Sequence, residues 1–284
     1  METVWILSDE RYLRQRMPST LVDWLDEASV PARTLIAEGL VASPGGGEGE
    51  DPWTGVQSGD VVVARTRDRF ALSLLRTAER QGVTVLTTWE SVAAVRNKAR
   101  AAQTLAAWSV PTPKTLLAAS PAALKAVPRR RFPLLLKPHL GDNARGIVLV
   151  RSPEELDDIV WTDGMVLAQE YVDVGAVDLK LYVAGERVWA VRRPSPLLAL
   201  EPSAGGRPEP VEPSPQCLRL ARACARAFGL TLFGVDVLET PAGPLVVDVN
   251  DFPNYTGVDE APEAIGRLIV SALGGRQLEA ACAS

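Results

Sequence analysis

The segment Leu232–Tyr255 constrains the fold most, because it contains two Val-rich runs separated by a turn signal. Pro and Gly are concentrated in Thr240–Pro244, which predicts a β-hairpin. Folding this hairpin about Ala242 places Asp236 directly opposite Asp248. Like charges in opposite positions destabilise a sheet, so the pair favours a site at which a cation binds.

One face of this hairpin gathers oxygen donors. Asn250 lies two residues beyond Asp248 and projects from the same face, and Gly234 falls opposite Asn250 and leaves that face open. Two carboxylates (Asp236 and Asp248) and an amide oxygen suit a hard cation such as Mg²⁺, with Mn²⁺ as an alternative. The intervening valines are predicted to point into the core, and they are Val235, Val237, Val247 and Val249. The alternative interpretation is a solvated hairpin with scattered acids.

The overall composition is that of an ordinary soluble enzyme. The chain has 284 residues, of which 46% are hydrophobic and 23% are charged, and this length suffices for two or three units with an ample core. The net charge of −5 argues against a protein that binds nucleic acid in bulk. No apolar run is long enough for a membrane span or a signal peptide. We therefore expect a cytoplasmic protein, and homo-oligomerisation is left open.

The cysteine and histidine content excludes several kinds of site. Cys217, Cys224 and Cys282 are an odd number without CxxC spacing, which fits a reducing compartment and gives no disulfide framework. His139 is the only histidine, so a His-rich zinc site is excluded. No GxSxG motif is present, and a Ser-His-Asp enzyme would depend on that single histidine.

The first 91 residues alternate between strand and helix patterns, which predicts a parallel sheet covered on both faces. The predicted elements are the strands Val4–Leu7, Pro31–Ile36, Asp60–Ala64 and Thr84–Leu86 and the helices Leu21–Ala28 and Phe70–Gln81. Residues 92–172 and 173–284 form two further units of mixed strands and helices. In the second unit, a Ser-Pro-Glu-Glu start predicts a helix over Ser152–Val160. The expected fold class is α/β followed by α+β.

A glycine-containing loop follows the predicted strand Phe132–Lys137. Gly141 and Gly146 flank a polar turn there. Backbone N–H groups in such a loop can surround phosphate oxygens, and Lys137 would add a point charge. The loop is not a Walker A motif, because Ile147 stands where the lysine would follow. Taken alone, the pattern is more typical of a plain turn.

Charged residues alternate along one face of a second predicted hairpin. Asp178 and Lys180 share a face, and a two-residue turn at Gly185-Glu186 returns Arg193 to that same face. A salt-bridged surface is the alternative interpretation. The segment Pro194–Pro215 then follows, and its Pro, Gly and Ser content predicts a long loop, which is either a lid over a reaction centre or a solvated connector.

Taken together and in this order, six motifs resemble the ATP-grasp superfamily. They are the NK…VPTPKT segment (Asn97–Thr115), the KP plus Gly loop (Lys137–Gly146), QEYV (Gln169–Val172), DLK (Asp178–Lys180), FGVDV (Phe233–Val237) and DVN (Asp248–Asn250). The resemblance extends from about Asp60 to Leu273 and rests on the order and spacing of motifs that are individually unspecific. It implies an ATP-grasp fold, in which an N-terminal parallel-sheet α/β domain precedes two lobes that enclose ATP.

The resemblance also implies roles for individual residues. The residues implied to hold ATP are the lysines Lys98 and Lys137, the loop glycines Gly141 and Gly146, the strand edge Glu170, Tyr171 and Val172, and Asp178. The residues implied to act in catalysis near the γ-phosphate are Lys180 and Arg193. The residues implied to bind magnesium are Asp236, Asp248 and Asn250, and many relatives have Glu at the Asp248 position.

Two branches of the superfamily compete as the best match. RimK-like carboxylate–amine ligases share QEY, D-x-[R/K] and a terminal Asn followed by a Pro, but they often carry Arg-x-Asn where this chain has Pro-Ser-Pro-Leu-Leu. Inositol trisphosphate 5/6-kinases are similar at LKLYVAGE, RRPSP and DVNDFP, but they usually have further histidines in the Gly loop and a more cationic surface. The ligase resemblance implies small-molecule or peptide carboxylate and amine substrates. We expect a ligase that joins them in an amide or peptide bond through an acyl phosphate and releases ADP and phosphate. A small-molecule kinase is the alternative.

Overall fold

The computed structural model describes residues 2–43, 52–141, 145–175, 177–195 and 207–275. The helices are α1 (Arg16–Glu27), α2 (Arg69–Arg80), α3 (Trp89–Arg96), α4 (Lys98–Ala107), α5 (Pro215–Phe228) and α6 (Ala261–Ala272). The strands are β1 (Val4–Ser8), β2 (Ala32–Ile36), β3 (Val61–Arg65), β4 (Thr84–Val85), β5 (Thr115–Ala118), β6 (Leu134–Pro138), β7 (Val148–Val150), β8 (Val166–Glu170), β9 (Val177–Ala184), β10 (Arg187–Pro194), β11 (Glu209–Val211), β12 (Leu232–Thr240) and β13 (Gly243–Asp251). Within these ranges, no helix combines the length and the hydrophobicity that a bilayer crossing requires.

The N-terminal sheet is parallel and has the strand order β2-β1-β3-β4. Its two central strands are buried along their length, because alternate side chains enter two different cores. Ile6 and Val63 pack with α1 on one face, while Leu7 and Val62 pack with α2 on the other. The sheet covered on both faces, which strand–helix alternation predicts, is confirmed.

Two antiparallel sheets follow, with the orders β5-β8-β6-β7 and β11-β10-β9-β12-β13. One face of the five-stranded sheet packs on α5 through residues such as Leu181 and Val235. On the other face, Tyr182 and Leu232 share a core with α1 and α6. Lys180 lies two residues before Tyr182 on that second face. The apolar core on this face therefore ends at Tyr182, and charged side chains begin at Lys180.

Some segments depart from the sequence-based expectations. The helix predicted over Ser152–Val160 is wrong, because Ile159 is already extended and only a 3₁₀-helix over Pro153–Asp158 remains. Helix α3 spans the predicted boundary at 91/92, and both boundaries, 91/92 and 172/173, stay predictions. Strand β11 forms inside the predicted loop Pro194–Pro215. Residues 196–206 of that loop lie outside the described residues, so the lid also stays a prediction.

Candidate active site

A cleft of about 440 Å³ lies between the four-stranded antiparallel sheet and the five-stranded sheet. Of the residues that the sequence predicts for the site, Gly146, Tyr171 and Lys180 do not form part of its lining. The others line it, and they are Lys98, Lys137, Gly141, Glu170, Val172, Asp178, Arg193, Asp236, Asp248 and Asn250. Motifs far apart in the sequence therefore meet at one place, while the role of each residue stays a prediction.

The acidic wall of the cleft is the hairpin β12–β13, whose register at the acids agrees with the sequence prediction. Asp236 pairs with Asp248, and Gly234 pairs with Asn250. A fold about Ala242 would pair Val237 with Val247, but Val237 pairs with Val246 instead. A β-bulge between positions 236 and 237 leaves Val247 as an extra residue on β13, and beyond the bulge the acids pair as predicted.

The bulge changes which valine enters the core. The sequence predicts Val247 in the core, and this prediction is wrong: Val246 is fully buried, whereas Val247 lines the cleft. The extra residue breaks the alternation of β13, so Val247 and Asp248 both contribute to the cleft wall. The predictions for Val235, Val237 and Val249 are confirmed, since all three are buried.

Each acid of the hairpin is held by cations. Asp236 Oδ1 lies 2.8 Å from Lys180 Nζ and 2.6 Å from Arg193 Nη2. Asp248 Oδ2 lies 2.7 Å from Lys98 Nζ. Burial acts to raise the pKa of Asp236, but Lys180 and Arg193 outweigh it and hold this pKa below its usual range. Asp236 is therefore ionised, as metal ligation requires.

The same hairpin has the donor set of a magnesium site. Asn250 Nδ2 donates to Asp236 Oδ2 over 3.0 Å, which leaves the amide oxygen for a cation. Two carboxylates with one amide oxygen are hard ligands of the kind Mg²⁺ takes. The described residues hold no group of three or more His, Cys, Asp or Glu around a metal position, so a cation here would complete its coordination with phosphate or water oxygens.

Lys137 is the most strongly perturbed lysine that lines the cleft. It lies on β6, is 8% exposed, and its Nζ donates to Gln169 Oε1 over 2.6 Å. Burial lowers the pKa of Lys137 to about 8, although Asp248 opposes the shift. Above pH 8 a lysine with this pKa is mostly neutral, and it would gain a proton when an anion such as phosphate binds beside it.

The glycine loop is anchored to helix α4. Lys98 N donates to the His139 carbonyl over 2.8 Å, and the ring of His139 hydrogen-bonds to Asp163. A Cβ on Gly141 would lie 3.0 Å from Pro138 Cγ and 3.7 Å from Lys98 Cε. The loop therefore approaches Lys98 closely because position 141 lacks a side chain.

The end of β8 forms another wall. Glu170 and Val172 line the cleft, and Tyr171 between them does not, as expected from the alternation of an extended chain. Asp178 is buried on β9, where Ser195 Oγ donates to its Oδ2 over 3.0 Å. Its Oδ1 has no hydrogen-bond partner among the described residues, and burial raises the pKa of Asp178. A ligand hydroxyl would satisfy that oxygen.

Sequence reasoning missed part of the lining. The residues missed are Pro113, Leu135, Pro138, Arg145, Ile147, Gln169, Pro194, Leu238 and Val247. Leu135 lies two residues before Lys137, so the two-residue period of β6 could have found it. Nothing local marks Leu238 or Pro113, which reach the cleft only through the packing of two sheets.

A family model and several curated proteins match most of this chain. A family model described as the RimK-like ATP-grasp domain matches residues 95–267. A protein named probable alpha-L-glutamate ligase 2 from Shewanella amazonensis is 29% identical over 202 residues, which are 68% of this chain and 67% of that protein. A protein named probable alpha-L-glutamate ligase from Stutzerimonas stutzeri is 30% identical over 201 residues, which are 67% of each chain.

A solved structure shows the same fold over almost the whole chain. The RimK domain protein ATP-grasp from Sphaerobacter thermophilus superposes with a TM-score of 0.76 and covers 96% of this chain and 100% of its own. The two sequences are 19% identical, so this likeness concerns the fold. The ATP-grasp architecture that the motif order implies is confirmed.

Proposed function

Because the chain belongs to the RimK-like ATP-grasp family, we propose that it is a carboxylate–amine ligase that works through an acyl phosphate. Family membership makes it an ATP-grasp enzyme of the class that forms carbon–nitrogen bonds. The observation that carries the proposal is the row of cations facing the acidic hairpin. Lys98, Lys137 and Arg193 line the cleft with Asp236 and Asp248, and such a set suits a polyphosphate that carries a metal ion.

The proposed reaction has two steps. A carboxylate oxygen of the first substrate attacks the γ-phosphorus of ATP, the bond to the β-phosphate oxygen breaks, and ADP leaves. The amine nitrogen of the second substrate then attacks the acyl carbon, and phosphate leaves as the amine loses a proton. Lys98 and Lys137 bind the phosphates, while Lys180 and Arg193 stabilise the charge that develops during transfer.

The metal has a defined place in this proposal. Asp236, Asp248 and Asn250 would hold Mg²⁺, which when bound neutralises phosphate charge. Asp178 and the Glu170–Val172 edge orient the nucleoside. Before the metal binds, Lys180 and Arg193 keep Asp236 ionised, because both contact its Oδ1.

The names of the relatives favour the ligase over the kinase alternative. Both curated relatives described above are named as glutamate ligases, so L-glutamate is the first substrate to test. Hydroxylamine distinguishes the two activities, because it traps an acyl phosphate as a hydroxamate, whereas a kinase leaves a phosphorylated product. We expect hydroxamate, ADP and phosphate in equal amounts from L-glutamate with Mg-ATP. A phosphorylated hydroxyl product without hydroxamate would point to the kinase.

We expect Asp248→Asn to lower the rate of hydroxamate formation by about 100-fold or more. The substitution removes one of the two opposed carboxylates, and its size is unchanged, so the fold should persist. Asp157→Asn is the matched control, since Asp157 is 67% exposed and pairs with Lys125 away from the cleft. Near-normal activity of Asp248→Asn at limiting Mg²⁺ would reject the metal assignment.

A further inference from the structure

Gln169 lies on β8 and contacts Lys137 on the neighbouring strand β6. Lys137 Nζ donates to Gln169 Oε1 over 2.6 Å, and both side chains are more than nine-tenths buried. Both residues also line the cleft of about 440 Å³, so a ligand in the cleft lies beside this pair. One N–H of the ammonium group is directed to Gln169, which leaves the other two for such a ligand.

The orientation of the Gln169 amide follows from a chain of hydrogen bonds. Thr115 Oγ1 donates its only proton to the Pro113 carbonyl over 2.9 Å, so towards Gln169 it acts as an acceptor. Gln169 Nε2 donates to Thr115 Oγ1 over 3.2 Å, and this places the amide oxygen on the side of Lys137. Gln169 is therefore held as a neutral acceptor for the lysine.

No acid contacts Lys137 in the described part of the chain. The charged groups around its ammonium are Asp248, Lys98, Asp236 and Asp178. Asp248 pairs with Lys98 and Asp236 pairs with cations of the five-stranded sheet, so none of the three acids forms an ion pair with Lys137. A carboxylate in contact with Nζ would offset the charge of the lysine, whereas an amide oxygen leaves that charge available to a bound anion.

We propose that Gln169 is a positioning residue, which aims Lys137 into the cleft and leaves the charge of the lysine for the phosphates of ATP. This inference rests on the phosphate-binding role proposed above for Lys137. A glutamate at position 169 would fill the same space and would offset the charge of the lysine before the nucleotide binds. Burial lowers the pKa of Lys137 to about 8, and bound phosphate oxygens offset this cost because they favour the charged form.

The first test measures the proton uptake that accompanies Mg-ATP binding at pH 8, by calorimetry in two buffers of different ionisation enthalpy and without acid or amine substrates. Wild type should take up about half a proton, because about half of a group is charged at a pH equal to its pKa. Gln169→Glu should take up almost none, because the carboxylate raises the pKa of Lys137. Gln169→Met should take up more than wild type, because it removes an acceptor that favours the charged form. Equal uptake in all three proteins would overturn the inference.

The second test compares the affinity for Mg-ATP at pH 7, where Lys137 is charged in wild type and in Gln169→Glu. The variant should bind at least 10-fold more weakly, because its carboxylate competes with the phosphates for the lysine. Gln103→Glu is the matched control, since Gln103 is exposed on α4 and its substitution changes the net charge by the same amount. Equal losses of affinity in the two Glu variants would overturn the inference.

The two tests also separate positioning from a merely structural role of Gln169. A structural role would lower the melting temperature of Gln169→Glu and Gln169→Met without giving them opposite shifts in proton uptake, and that result would overturn the inference. Hydroxamate formation tests the ligase function separately. If wild type forms no hydroxamate but the uptake follows the expected order, the ligase proposal fails and the positioning role of Gln169 stands.

Discussion

The pKa of Lys137 predicts a proton uptake that accompanies nucleotide binding. In the free protein, burial lowers this pKa from 10.5 to about 8. Lys137 is charged below pH 8, and burying that charge costs free energy of folding that is fully present there and is relieved as the pH rises from 8 towards 10.5. Phosphate oxygens beside Nζ would raise the pKa again. We expect ATP binding to take up close to one proton at pH 9 and almost none at pH 6.5.

Calorimetry in two buffers of different ionisation enthalpy measures this uptake directly. Lys137→Met should bind ATP more weakly and should show no uptake at pH 9. An identical uptake in wild type and Lys137→Met would assign the proton to another group. The buried ε-amino group could not be inferred from the sequence, because the burial of Lys137 arises from Gln169 and the opposing sheet.

Gly234 is required for the placement of Lys180. The sequence predicts that Gly234 leaves the acidic face open, but the space is filled by the stem of Lys180, which a Cβ would approach within 2.8 Å at Cε. Gly234→Ala should displace Lys180 from Asp236 and lower kcat about 10-fold or more. Overpacking should cost about 1–3 kcal/mol in the free energy of unfolding.

Gly164→Ala is the control for Gly234→Ala, because nothing lies within 4 Å of the position that its Cβ would take. Urea unfolding and steady-state kinetics on both variants separate the two effects. If Gly234→Ala retained full kcat, the present placement of Lys180 against position 234 would not be needed for turnover.

At the scale of elements, the hairpin β12–β13 shows what a local pattern determines. The alternation of Val and Asp predicts the pairing of Asp236 with Asp248 because a sheet has a period of two. The same pattern gives no sign of the bulge, since a bulge depends on how the turn closes. The predicted pairing of Asp236 with Asp248 is correct because the extra residue in the bulge compensates for a turn that is one residue shorter than predicted. The prediction for Val247 failed because Val247 is that extra residue.

The strands that the sequence did not predict are short and at sheet edges. Strand β11 has three residues that include Pro210, and it pairs with β10. Strand β5 has four residues and pairs with β8. Such segments become strands through their partners, because three or four residues are too few to show a periodic pattern, and β11 also contains a proline. Elements with long periodic patterns, such as α2 and α5, could be predicted from the sequence for the opposite reason.

At the scale of the whole molecule, the order of motifs predicts the fold, but the contacts that join the sheets could not be predicted. Arg96 ends α3, and its guanidinium contacts the Thr66 carbonyl beyond β3 and both carboxylate oxygens of Asp251, which ends β13. These residues lie 30 and 155 positions from Arg96. Contacts between residues this far apart in the sequence produce no periodic pattern. The contacts of Arg96 with Thr66 and Asp251 therefore arise from tertiary packing alone.

The Arg96–Asp251 pair should connect the stability of the N-terminal sheet to the geometry of the hairpin β12–β13. The side chains are 15% and 7% exposed, so Arg96→Met leaves a buried carboxylate without its partner. We expect a loss of about 3–5 kcal/mol in the free energy of unfolding. Asp251 follows Asn250, which is a proposed magnesium ligand, so we expect the apparent affinity for Mg²⁺ to fall as well.

The double variant Arg96→Met/Asp251→Asn tests whether the uncompensated charge is the cause. Removing the charge of Asp251 should restore part of the stability lost in Arg96→Met, because the desolvation cost disappears with the charge. The metal affinity should not recover to the same extent, since the fork that held the end of β13 is still missing. If the double variant lost the sum of the two single effects in urea unfolding, the residues would act independently and the junction would not couple the two sheets.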